Sequence, residues 1–104
     1  MALFSVGDIL LCNSKIEYAK AHHFYKTKVD VNYLVIDHID SDWGDYVLVE
    51  LTKRHRTSFN LSELDVDERH FQRIGHINVV RGFDARIEDL VNKYEGLEAF
   101  VRQE

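Results

Sequence analysis

Apolar and polar positions alternate most clearly in the middle of the chain. Val31, Tyr33, Val35 and Asp37 interleave with Asn32, Leu34, Ile36 and His38, a β-rich stretch that ends at Ile39. Asp40-Ser41-Asp42-Trp43-Gly44-Asp45 is dense in turn formers and leads into a second run, Tyr46 to Leu51, so the two runs predict a β-hairpin. Before the hairpin, Ile9-Leu10-Leu11-Cys12 follows the turn-like Val6-Gly7-Asp8. After it come short apolar segments at Thr57 to Leu61, Phe71 to Ile74 and Ile77 to Val80.

The pattern turns helical in two places. Ser14-Lys15-Ile16-Glu17 matches a capping box, in which the serine oxygen and the glutamate carboxylate satisfy open backbone donors of a first turn. It predicts a short helix over Tyr18 to His23. Asp84 is placed as the N-cap of a longer helix over 84–103. There Ile87, Leu90, Val91, Tyr94, Leu97 and Val101 fall at 3.6-residue spacing, with a bend expected at Gly96.

A chain of 104 residues suits one domain with one core. With 45% apolar and 30% charged residues it reads as a globular chain, and no apolar run is long enough to cross a membrane. The start, Met1-Ala2-Leu3-Phe4, lacks the pattern of a secretory signal, and the lone Cys12 fits a reducing, cytoplasmic setting. Net charge is −5, which speaks against a general nucleic-acid coat. Its distribution is blocky. From Asp30 to Glu50, both included, stand six acids and no Lys or Arg; Lys53-Arg54-His55-Arg56 follows, and Arg69, Arg73, Arg81 and Arg86 succeed a second acidic cluster.

The strand half resembles a small Src-homology-3-like barrel family common among bacteriophage-encoded proteins. The residues that carry the resemblance are Phe4-Ser5-Val6-Gly7-Asp8-Ile9-Leu10-Leu11-Cys12, then Tyr25-Lys26, Tyr33-Leu34-Val35-Ile36, and Phe59 to Leu64 with Phe71. It covers roughly Phe4 to Ile74. The long loop from Asn13 to Asp30 and the segment after Asp84 depart from it. The resemblance implies a mostly β, small five-stranded, partly open barrel over 4–80, to which the periodicity adds a C-terminal α-helix.

Six histidines and one cysteine invite a metal site, but no pair has the spacing of a zinc ligand set. Asp40-x-Asp42-x-Gly44-Asp45 has its glycine one position early for a calcium loop, and Leu51 stands where the bidentate Glu belongs. No spacing brings an acid–base pair together, and no phosphate loop or nucleophile context stands in the chain. The chain is therefore read as non-catalytic, with no metal and no cofactor. Protein binding is the favoured reading. Trp43 at the tip of an acidic turn, with Asp40, Asp42 and Asp45 around it, is the kind of anchor that dominates interfaces. This suits a phage accessory protein that binds and modulates or inhibits a host protein such as a nuclease, a toxin, or a defence or transcription component. The alternative is an RNA- or DNA-binding regulator, using Lys53, Arg54 and Arg56 with Arg69 and Arg73; His22, His23, Phe24 and Tyr25 among Lys20, Lys26 and Lys28 form another basic-aromatic cluster. The end of the helical stripe, Leu97, Phe100 and Val101, offers a surface for a homodimer or a partner.

Overall fold

The computed structural model describes residues 3–15, 17–20, 23–39, 44–52, 59–62, 66, 68–80 and 86–102. Five strands form the main antiparallel sheet: β1 (Asp8–Cys12), β4 (Asn32–Ile39), β5 (Asp45–Glu50), β6 (Phe59–Ser62) and β7 (Phe71–His76). Their order is β6-β5-β4-β1-β7, so β6 and β7 are edges and the sheet is not closed into a barrel. Between β1 and β4 the chain makes a separate hairpin of β2 (Glu17–Lys20) and β3 (His23–Lys26). The one α-helix among the described residues is α1 (Ile87–Lys93), followed by a 3-10 turn, Leu97–Phe100. Among the described residues no helix is long and apolar enough to cross a membrane.

The apolar run of β4 is unbroken because both faces of the sheet are covered. Tyr33 and Val35 join Phe4, Leu10, Cys12, Tyr46, Leu48 and Phe71 in one core, whereas Leu34 and Ile36 join Ile9, Val49, Leu51, Ile87, Leu90, Leu97 and Val101 in a second. Successive strand residues point to opposite faces, so the two cores sandwich the sheet. A bulge between Val35 and Asp37 sets two residues of β4 against Val47. Beyond it His38, rather than Asp37, stands on the Tyr46 face, and their rings lie 4.8 Å apart.

Val6-Gly7-Asp8 is a junction of three strands. Gly7 sits at φ +96°, donates to the Val35 carbonyl at 2.7 Å and accepts from Ile77 N–H at 2.9 Å. A Cβ there would lie 2.0 Å from the Ile77 carbonyl oxygen, so only glycine fits. The buried Asp8 carboxylate accepts from Ser5 N–H at 2.8 Å and pairs with His76 Nδ1 at 2.8 Å.

Two helical expectations are corrected. Where the capping box predicted a helix, the chain forms the β2–β3 hairpin. Glu17 pairs across it with Lys26 and binds both Lys15 (3.2 Å) and Lys26 (3.5 Å), so the local helix signal yields to a cross-strand partner. The C-terminal helix does not run over 84–103. It starts at Ile87 with Arg86 in the cap position, and Asp84 lies outside the described residues. The chain leaves the helix at Tyr94 in extended conformation, and Gly96 at φ +89° turns it back across the sheet, a stronger break than a bend. Beyond Gly96, Leu97 and Val101 are buried in the second core, so they do not present a dimer surface. Phe100 is half-buried, its ring seated against Gly75, where a Cβ would come within 2.9 Å of it. Asn32 Nδ2 donates to the Phe100 carbonyl at 2.9 Å, Arg102 N–H donates to the Leu51 carbonyl at 2.9 Å, and Thr52 and Arg102 form a parallel bridge. The tail is part of the fold, held in cis.

Candidate functional site

Antiparallel pairing places the C-terminal end of β4 beside the segment that precedes β1. Ile9 faces Leu34, so residues before Asp8 run alongside the last residues of β4. The Tyr46 hydroxyl fastens that segment, accepting from Phe4 N–H (2.9 Å) and donating to the Phe4 carbonyl (3.2 Å). This end of the sheet carries two large apolar side chains in water, Leu3 (50% exposed) and Ile39 (41% exposed). Ile39 pairs with Asp45, the first residue of β5, and Asp45 pairs in turn with Ser62. Gly44, directly before β5, is buried at φ +65°, a left-handed conformation that favours glycine. The remaining residues assigned to this site, Asp40, Asp42 and Trp43, lie outside the described residues.

The opposite end of the sheet is polar and closed. Glu50, 2% exposed, receives hydrogen bonds from the Tyr33 hydroxyl (3.4 Å) and the Thr52 hydroxyl (3.3 Å), and Lys28 Nζ lies 3.6 Å away. Lys28 N–H donates to the Tyr33 oxygen at 2.9 Å. Burial, reinforced by the Glu50 charge, pushes the Tyr33 phenol above its ordinary range despite the Lys28 bond. Burial also pushes the Cys12 thiol up, and its Sγ donates to the Ser14 carbonyl at 3.1 Å. Cys12 is thus a small core residue with little thiolate character. Ser14 Oγ bonds His70 Nδ1, a pairing of hydroxyl and base that sequence spacing did not reveal. Among the described residues no carboxylate orients the His70 ring, and the same residue's carbonyl accepts from Asn13 N–H at 2.6 Å. The contact ties the end of β1 to the turn before β7. Among the described residues, no cluster of three His, Cys, Asp or Glu side chains could hold a metal ion.

Of Lys53, Arg54, Arg56, Arg69 and Arg73, assigned to the nucleic-acid alternative, only Arg69 and Arg73 are among the described residues. Lys53, Arg54 and Arg56 lie outside the described residues, and the strands flanking them, β5 and β6, are at one side of the sheet. Arg69, exposed in the turn before β7, and Arg73, exposed on β7, belong to the other edge. His23, Phe24, Tyr25 and Lys26 form β3, and Lys20 ends β2; His22 lies outside the described residues. What sequence reading missed is the position of β7 at an edge of the sheet. The strand's residues Gln72, Arg73 and Ile74 are all exposed, within a stretch, 69–83, that contains three Arg, two His and no acid.

In comparisons with protein-family models, curated proteins and solved structures, nothing matches this chain.

Proposed function

We propose that this chain is a small non-catalytic accessory protein that binds another protein through the β4–β5 hairpin end and modulates it. The observation that carries the reading is the pair of exposed apolar side chains, Leu3 and Ile39, at the end of the sheet where the acidic turn is inserted. Both faces of the sheet are occupied by its own cores, so the surfaces left for recognition are its ends and edges. Apolar anchors at strand ends that carry Asp37 and Asp45, with Asp40 and Asp42 in the sequence between them, suit a partner with a basic rim around an apolar pocket. Trp43 is the central anchor in this reading.

The finer fold assignment is an Src-homology-3-like one. Five antiparallel strands in the order β6-β5-β4-β1-β7, with a hairpin inserted between β1 and β4, support it. With the resemblance, that architecture favours a bacteriophage protein acting on a host nuclease, toxin, or defence or transcription component. The nucleic-acid alternative draws on Arg69 and Arg73, but those residues stand across the sheet from the strands that bracket the Lys53 segment. Affinity capture from bacterial lysate, with and without nuclease, tests the reading. A specific protein retained after nuclease treatment supports it. Capture that disappears with the RNA or DNA overturns it in favour of the alternative.

A further inference from the structure

The hydrogen-bond phase of β7 can be worked out from its pairing with β1. Asn13 N–H donates to the His70 carbonyl, and Leu11 faces Gln72, so His70 and Gln72 direct their backbone groups at β1. Phe71 and Arg73 then direct theirs outward. A register shift between Ile9 and Leu10 leaves Ile74 as the extra residue. Ile77 N–H donates to the Gly7 carbonyl, which restores the pairing and turns His76 outward. Among the described residues no backbone group is bonded to these outward N–H and C=O groups. Exposed side chains stand on both faces of this edge: Gln72, Arg73, Ile74 and His76. Asp8, which pairs with His76, is buried and engaged by His76 and Ser5, and Glu68 is exposed in the turn before the strand.

We infer that the β7 edge accepts an extended acidic segment of a partner protein, added as a further strand along Phe71–Arg73. Main-chain hydrogen bonds to an open edge supply the affinity in such additions, and side chains supply the choice. Here the choice is for carboxylates, because Arg73 and His76 are exposed on this strand, which itself carries no acid, and Arg69 is exposed in the turn before it. A second copy's β7 is the wrong occupant, since antiparallel self-pairing brings like charges of the two Arg73-bearing strands together. A nucleic acid is poorly served as well: the aromatic of this strand, Phe71, is buried in the first core and offers no face for base stacking. The bulge at Ile74 confines pairing to a short stretch and guards the edge against indiscriminate addition. This surface lies apart from the hairpin end, and the inference stands or falls independently of the function proposed above.

The test uses the full chain and a fluorescent, acetylated peptide of alternating Glu and Val, with three comparison probes: the Lys–Val peptide, the Glu–Val peptide N-methylated at alternate backbone positions, and oligo-dT. Saturable binding of the Glu–Val peptide, with amide shift changes centred on Phe71–His76, is expected. Arg73→Glu should weaken it by about 10-fold, and Arg73→Gln by less. The N-methylated and Lys–Val peptides should not bind. Equal binding of the N-methylated peptide, shift changes elsewhere, tighter binding of oligo-dT, or no saturable binding overturns the inference. Shift mapping on the unaltered chain decides the matter even if a variant unfolds.

Discussion

Leu97→Ala probes the claim that the C-terminal segment is a structural part of the domain. Leu97 is 0% exposed and lies in the second core with Leu34, Ile36, Val49, Leu51 and Leu90. Truncating a buried leucine costs about 2–5 kcal/mol, the transfer of the lost atoms plus the cavity left behind. A 3-10 turn near the chain end can partly collapse into the gap, so a value of about 3 kcal/mol is expected. A domain of this size has roughly 5–15 kcal/mol in total, which makes the loss a large fraction of it. In urea, with m of about 1.5 kcal/mol/M, the midpoint should fall by about 2 M at unchanged m. The thermal midpoint should fall by roughly 10–20 °C. Glu98→Ala, at an exposed position in the same turn, is the control and should stay within about 0.5 kcal/mol. If Leu97→Ala costs no more than Glu98→Ala, the tail is not packed in cis. The 97–101 surface would then be restored as a candidate interface.

Two further perturbations separate physical causes within the fold. Gly7→Ala and Gly96→Ala both force a side chain onto positive φ, but only at Gly7 is there an obstruction, the Ile77 carbonyl, whereas nothing lies within 4 Å at Gly96. Gly96→Ala should therefore cost about 1–2 kcal/mol from backbone strain alone, and Gly7→Ala clearly more, both read by urea titration; equal losses would contradict the junction described at Gly7. Tyr33 gives a pH dependence. Its folded pKa is raised above the ordinary 10.0, so the stability it contributes is complete below pH 10 and is lost as pH rises towards the folded value, because the unfolded phenol ionises first. Tyr33→Phe should flatten the fall in melting temperature above pH 10, although it removes the Lys28 and Glu50 bonds and lowers stability at neutral pH. Parallel curves for the two proteins would refute the burial argument.

The parts of the fold legible in sequence were those set by local pattern. Strand β4 and strand β5 announced themselves by β-branched and aromatic residues on either side of a turn rich in Asp and Gly, and Cys12 by its apolar run. The stripe from Ile87 to Val101 was legible as apolar, but it is not one helix, and its end, Leu97 and Val101, which was assigned to a partner surface, lies in the core. Its residues reach a common core from two short elements joined by a left-handed glycine, and periodicity alone does not distinguish that from four continuous turns. The Ser14–Glu17 signal misled because helix caps and strand ends draw on the same polar residues, and Lys26 decided between them. Of the candidate sites, the hairpin end followed from the turn, and the described residues add Leu3 and Ile39 to it. The β7 edge was hidden, because edge status depends on pairing between residues about sixty positions apart, and Arg73 looks like any surface arginine until that order is known.

The central claim, that the hairpin end is a protein-binding surface, is tested most directly by isothermal titration of the captured partner against the intact chain and Trp43→Ala, with thermal melting of both proteins. Affinity should fall by about 30-fold, the equivalent of about 2 kcal/mol at an interface anchor, while the melting temperature stays nearly unchanged. Unchanged affinity, or a melting temperature lowered by many degrees, would contradict the account and make Trp43 a residue of the fold.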